Sequence, residues 1–313
     1  MEQLDLLPGL KVSRLCYGTL TIGPLQRNMS VAEGGRLLIH ALQKGILFFD
    51  TAELYGTYPH IRMMLEECPG AVIATKSYAW NRETAEESFA KAVRGIGRDY
   101  VDLFLLHEQE SLHTIRGHWE ALEHLIRLKE RGLIGAVGLS THSVDAARAA
   151  LRFPEIQVVH PLINMNGLGI QGGSRDDMVA AIADLSAAGR GVYAMKALGG
   201  GHLIGNRREA IAWALGLAGV KSVAVGMQSE AEIDYNVSLF EGMEPPADLE
   251  QATAGTQRQL LVHDWCRGCG NCAKVCSSGA IRVIGGRAAP DPEKCVMCGY
   301  CAAACPDFCI KVI

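Results

Sequence analysis

The sequence predicts an α/β protein, a (β/α)8 TIM barrel followed by a small α+β domain, and three observations carry that prediction. From residue 14 to about residue 240, short apolar β-branched runs alternate with longer amphipathic ones. The short runs number eight. After residue 260 the pattern stops, and eight of the chain's 11 cysteines fall in two runs, CRGCGNCAKVC at 266–276 and CVMCGYCAAACP at 295–306.

The eight expected strands are, in order, RLCYG, GILFFDT, AVIATKS, DYVDLFLLH, GAVGLST, QVVHPLIN, GVYAMKA and KSVAVGM. Between most of them lie helix-length patterns such as VAEGGRLLIHALQKG and TIRGHWEALEHLIRLKERG, each closing on Gly after a basic residue, as a helix C-terminus should. Strands separated by helical crossovers form parallel βαβ units, either closed into a barrel or opened as a doubly wound sheet. A count of eight favours the barrel, which typically needs about 250 residues. Residues 243–262, MEPPADLEQATAGTQRQLLV, open on proline and acidic residues and then become helix-compatible. They read as a helical connection between a barrel at 1–242 and a cysteine-rich domain at 263–313.

Composition narrows the partners. A net charge of −4 with no Lys/Arg stripe argues against nucleic acid. The N-terminus, MEQLDLLPGLKVSRLCYG, carries acidic residues where a signal peptide needs a basic region, and no stretch is long enough to span a membrane. Cysteines clustered as CxxCxxC point to a reducing compartment, hence a cytoplasmic protein.

Cys266, Cys269, Cys272 and Cys276 form CxxCxxCxxxC, and Cys295, Cys298, Cys301 and Cys305 repeat it, the second run followed by Pro306. Thiolates at this spacing wrap successive corners of an iron–sulfur cube while the fourth reaches the neighbouring cluster. The spacing therefore predicts one [4Fe–4S] cluster on Cys266, Cys269, Cys272 and Cys305, and another on Cys295, Cys298, Cys301 and Cys276. Two structural zinc sites are the alternative, but they use paired CxxC units and leave the third and fourth cysteines of each run without purpose. The tail resembles bacterial two-cluster ferredoxins over its whole length, departing at Ser277, where the first run usually has proline. Cys16, Cys68 and Cys309 fall outside the pattern and read as small buried apolar residues.

In the barrel, FFDTAELYG puts Asp50 at the end of the second strand with Tyr55 just beyond, and the next two strands end in ATKS with Lys76 and LLHE with His107. Strand C-termini meet at the catalytic face of a parallel barrel, so these four residues should converge. Each alone has an ordinary explanation, a helix cap for the Asp and packing for the Tyr; their order on successive strand ends is harder to dismiss. Here residues 1–240, including the opening LPGLKVSRLCYGT, resemble the aldo-keto reductase family, whose (β/α)8 barrel carries an Asp, Tyr, Lys, His tetrad. The resemblance implies that Asp50, Tyr55, Lys76 and His107 are that tetrad in a NAD(P)-dependent enzyme acting on a small carbonyl or alcohol. Tyr55 would be the general acid/base. A phenol near pKa ~10 is a weak acid at neutral pH, and Lys76 is expected to lower it while Asp50 holds the ammonium.

Nucleotide contacts are expected after the late strands. MKALGGGHL offers Lys196 and, for a pyrophosphate, Gly199, Gly200 and Gly201; GLSTHS offers Ser140 for the nicotinamide amide, with Thr141 where many members have Asn. VGMQSEAEIDYN offers Gln228, Ser229, Glu232 and Asn236. Many relatives carry a base before that Ser, whereas Glu230 and Glu232 repel a 2′-phosphate and suit a free ribose hydroxyl, so the sequence leans towards NADH. The alternative is that both are first-turn residues favoured by the helix dipole, with a base elsewhere. Hydride carries two electrons and each cluster takes one, so three readings stand: a reductase whose clusters exchange electrons with a partner protein, a reductase with structural clusters, and a nucleotide-binding redox sensor. Leu25, Tyr58 and Trp80 are candidates for the substrate wall.

Overall fold

The computed structural model describes residues 1–254, 259–307 and 309–312, the last two by backbone alone. Two short strands, β1 (Gln3–Leu7) and β2 (Leu10–Ser13), precede β3 (Leu15–Gly18), α1 (Val31–Gln43), β4 (Phe48–Asp50), α2 (Tyr58–Glu67), β5 (Val72–Ser77), α3 (Arg82–Ile96) and β6 (Val101–Leu106). The chain continues through α4 (Leu112–Gly117), α5 (Trp119–Glu130), β7 (Ile134–Thr141), α6 (Val144–Ala150), β8 (Val158–Pro161), α7 (Arg175–Ala187), β9 (Gly191–Met195), α8 (Arg207–Leu215), β10 (Val220–Val225) and α9 (Glu230–Phe240). Strands β3 to β10 close into one barrel, β10 returning to β3, and every pairing is parallel. The eight strands fall where the eight apolar runs predict them.

Strands covered on both faces read as continuous apolar runs rather than alternating ones. Every residue of β5 is buried. One layer fills the barrel, with Phe48, Leu103, Leu105, Val158 and Tyr193 around the buried Cys16, and the β1–β2 hairpin seals the N-terminal end with Leu6 and Val12. A larger layer lies between strands and helices. Local signals fix the helix ends. Ser30 and Glu33 cap α1 reciprocally, and Gly97 ends α3 in the left-handed region at φ 79°.

Two expectations need correction. The pattern over 114–132, read as one helix, is broken at His118 (φ −103°, ψ 16°), whose ring meets Gln109 Oε1 at 3.0 Å. The connection at 243–262 is helical only in α10 (Ala247–Thr253); residues 255–258 lie outside the described residues, as do 308 and 313. Its last three residues form β11 (Leu260–Val262), which pairs antiparallel with β14 (Ile310–Val312) because Leu260 and Val262 cover the thiol-lined interior of the tail. Between them lie α11 (Asn271–Lys274), the hairpin β12 (Ile281–Ile284) and β13 (Arg287–Pro290), and α12 (Tyr300–Ala303).

The tail docks on the C-terminal mouth of the barrel. Gln26 Nε2 donates to Met297 O at 2.9 Å, Gln171 Nε2 to Ser277 O at 3.1 Å, and the His202 ring meets Cys295 O. A Cβ on Gly200 would fall 2.1 Å from Val296 O, and one on Gly299 2.7 Å from Leu25 O. Only glycine permits these backbone approaches, and both residues also have positive φ.

Candidate active site and cluster sites

The strand ends bring the four tetrad candidates together. Lys76, on β5, is 1% exposed and donates to both Asp50 oxygens, at 2.6 and 2.8 Å, and to Thr51 O at 2.7 Å. Tyr55 ends a single 3-10 turn after β4, and the Lys76 ammonium stands 5.0 Å from its ring centre. His107 follows β6 and meets the Tyr55 ring edge to face at 5.7 Å. Two strand residues that sequence reasoning missed lie against Asp50. Tyr193 donates its hydroxyl to Asp50 Oδ2 at 2.9 Å, and His160, stacked on Tyr193, has Nε2 3.7 Å from the same oxygen.

Burial dominates the electrostatics. It pushes the Tyr55 phenol well above its ordinary range, with the Asp50 and Glu108 carboxylates adding to the rise and a hydrogen bond with Tyr300 opposing it. The expected lowering by Lys76 does not lead, because the ammonium is committed to both oxygens of Asp50. Burial, and then Lys76, pushes His107 well below its usual value, so the ring is neutral. Burial likewise brings His160 down to about 4.

The tail completes the site. Tyr300, in the second cysteine run, sets its hydroxyl 3.2 Å from His107 Nε2, and Tyr78 stacks on a face of that ring at 4.5 Å while donating to Glu108 Oε2 at 2.5 Å. Spacing read residue 300 only as a gap between ligands. Glu108 and Lys196 both take left-handed backbone, at φ 47° and 58°, and Lys196 Nζ is buried with no hydrogen-bond partner among the described residues. Backbone strain beside an unspent cation is characteristic of a functional site.

From Asp50 and Tyr55 a cleft runs past Lys196, Gly200 and Gly201 to Arg207, Glu232 and Asn236, and the cluster loop 296–298 forms its opposite wall. Gly199 lies beside it, whereas Gly200 serves the close approach to Val296. Ser140 and Thr141 are fully buried off the cleft, Ser140 Oγ accepting from Glu108 N at 3.0 Å and Thr141 Oγ1 from Ser143 N at 2.8 Å. Gln228 donates Nε2 to Thr21 O at 3.2 Å; Ser229 caps α9. The Glu232 carboxylate accepts from Gln228 N at 2.7 Å, so it also serves the helix start. Arg207, stacked 3.6 Å over Tyr235, brings to the cleft a base that the acidic stretch did not announce. Of the substrate-wall candidates, Leu25 packs with Tyr55 and Tyr300, Trp80 is 57% exposed, and Tyr58 bonds Thr75 Oγ1 at 2.8 Å in the core.

Cys266, Cys269, Cys272 and Cys305 line one cavity, while Cys276 packs with Cys295 and Met297 and, like Cys301, also borders the core that holds Cys272 and Cys305. Main-chain N–H groups point at the sulfurs, Ala280 N at Cys276 Sγ (3.2 Å) and Ala288 N at Cys266 Sγ (3.4 Å). Such hydrogen bonds accompany cluster thiolates, so the donor set fits iron–sulfur clusters. Cys16 and Cys309 are buried as expected; Cys68 is half-buried. No described helix is long and apolar enough to cross a membrane.

The site thus belongs to a (β/α)8 barrel with a charged Asp–Lys pair, a Tyr and a neutral His at its C-terminal mouth, joined to a dicluster tail. The aldo/keto reductase family profile matches residues 14–210, and the chain belongs to that family. A 4Fe-4S dicluster domain matches residues 260–306, so nicotinamide nucleotide and iron–sulfur clusters are its cofactors. Among curated relatives, the NADPH-dependent alpha-keto amide reductase of Saccharomyces cerevisiae is 29% identical over 129 residues, 38% of this chain and 41% of that protein. Glyoxal reductase of Bacillus subtilis is 28% identical over 130 residues, 40% of this chain and 45% of its own. The chain spans less than half the length of these relatives. A crystal structure of a Pseudomonas aeruginosa chain described as an aldo-keto reductase superposes with TM-score 0.67 at 25% identity, covering 77% of this chain and 95% of that one. The holo form of an aldo-keto reductase from Bacillus halodurans shares the fold at TM-score 0.65 and 18% identity, over 81% of this chain and 95% of its own.

Proposed function

We propose that the protein is a nicotinamide-dependent oxidoreductase that reduces an aldehyde or ketone to the alcohol, or runs the reverse, and that its clusters exchange electrons with the barrel site or a partner protein. The convergence of Asp50, Tyr55, Lys76 and His107 on one cleft carries the reading. When bound, the nicotinamide supplies or takes up hydride and the clusters pass single electrons. Asp50 holds the Lys76 amine in place beside the phenol. Tyr55, kept protonated by burial, gives its proton to the developing alkoxide as general acid. Neutral His107 presents Nε2 to the carbonyl oxygen, and that oxygen must displace the Tyr300 hydroxyl to reach it. Lys196 and Arg207 are the cations available to nucleotide phosphates.

Electron exchange is supported by Cys298, which lines the same cleft as Asp50 and Tyr55. The test is anaerobic and optical: reduce the cluster-loaded chain, remove the reductant, add NAD or NADP, and follow cluster and nicotinamide absorbance together. Two clusters holding one electron each should yield about one reduced nicotinamide per chain. Cys298→Ser, which removes a proposed ligand of the second cluster, should yield almost none; clusters that stay reduced in the wild type while nucleotide binds would rule out exchange with the barrel site and leave them structural or served by a partner protein.

Nucleotide choice turns on the far end of the cleft. Glu232 suits a free ribose hydroxyl and Arg207 a 2′-phosphate. Arg207→Ala should weaken NADPH about tenfold or more while leaving NADH little changed, the loss of one charge-assisted contact. Equal losses in the two dissociation constants would put the phosphate elsewhere.

A further inference from the structure

We propose that Cys309 is an interchangeable fifth thiol ligand of the first cluster, able to take over the iron that Cys305 holds. The two halves of the tail repeat each other: Cys276 is followed four residues later by Ala280 and then Ile281, and Cys305 by Cys309 and then Ile310. At the second site Ala280 is 2% exposed and gives only its N–H to the ligand sulfur. A small apolar residue satisfies that packing. At the first site the equivalent position carries a thiol, also 2% exposed, with Sγ 3.2 Å from Cys305 Sγ and lining the same cavity as Cys266, Cys269, Cys272 and Cys305.

A [4Fe–4S] cube needs one thiolate at each of four irons, so this cavity holds one thiol more than ligation requires. Packing does not explain the surplus, since Ala280 does that work in the repeat. The backbone around both sulfurs is pinned. Cys309 O accepts from His263 N at 2.7 Å, and Asp307, between the two cysteines, takes Arg267 at 2.6 and 3.0 Å on its carboxylate and Trp265 Nε1 at 3.1 Å on its carbonyl. An exchange therefore asks only for side-chain movement. The bond from iron to Cys305 Sγ breaks, the bond from iron to Cys309 Sγ forms, and the thiol proton of Cys309 passes to the released Cys305 sulfur. No electron moves and the charge of the site is unchanged. The site that gains this reserve is the one with an exposed ligand, Cys269; each of the two sites has two buried cysteines.

The proposal is independent of the reaction assigned to the barrel, and its readout is spectroscopic. Full-length Cys305→Ala, Cys309→Ala and the double variant are reconstituted anaerobically, and cluster content is read by iron analysis and by electron paramagnetic resonance of the reduced protein. Each single variant should keep both four-iron signals, and the double variant should lose one. Loss of a signal in Cys305→Ala alone overturns the proposal; loss in Cys309→Ala alone also overturns it, making Cys309 the resident ligand. Should Cys305→Ala fail to fold, the wild-type holoprotein is alkylated anaerobically with iodoacetamide and mapped by mass spectrometry. Label divided between Cys305 and Cys309 supports exchange, and no label on Cys305 overturns it.

Discussion

Tyr55→Phe is expected to fold normally and to lose carbonyl reduction by about a thousandfold in kcat/KM, within the range that general acid catalysis contributes. The substitution removes one oxygen from a buried ring whose hydroxyl partner, Tyr300, keeps His107 as a second contact, so the cost to stability is about 1 kcal/mol. Chemistry and folding should therefore separate cleanly. The measurement is steady-state turnover of an aldehyde panel alongside thermal melting of the same preparations. Turnover equal to wild type would remove Tyr55 from the acid role, and with it the main support for the proposed reaction.

The second large effect is on stability. Lys76 and Asp50 are 1% and 5% exposed at their side chains, and the ammonium meets both carboxylate oxygens. Lys76→Ala strands the Asp50 carboxylate in the barrel with the Tyr193 hydroxyl as its remaining close donor. Breaking a buried pair on one side costs about 3–5 kcal/mol, because the surviving charge keeps its desolvation penalty without compensation. Asp50→Asn combined with Lys76→Met should recover most of that loss while activity stays absent. Denaturant melts of the wild type and the two variants decide it, and a single-variant loss under about 1 kcal/mol would mean that water reaches Asp50.

What could be read from the sequence divides along a physical line. The convergence of Asp50, Tyr55, Lys76 and His107 was legible because a parallel barrel converts residues on successive strand ends into neighbours, and Asp50, Lys76 and His107 all sit at such ends. The approach of Cys305 to Cys266, Cys269 and Cys272 was legible for a similar reason, since spacing fixes which thiols share a loop. The support of Asp50 was not, because Tyr193 and His160 lie within apolar strand runs where a Tyr or a His reads as packing. The docking of the tail was hidden more deeply. Three of its contacts end on the carbonyls of Ser277, Cys295 and Met297, and every residue has a carbonyl. Gly200 left a trace, and the trace was read as a phosphate cradle although a Cβ there would also collide with Val296.

That close approach makes the barrel and the cluster loop opposite walls of one cleft, with Lys196 on one side and Val296, Met297 and Cys298 on the other. A molecule bound against both walls favours the arrangement in which they face each other. Linkage then works in both directions: whatever factor nucleotide contributes to holding the tail on the barrel, a docked tail returns to the affinity for nucleotide. Loading of the iron–sulfur half is in this way a variable of the binding curve of the other half, even in a turnover where no electron passes between them.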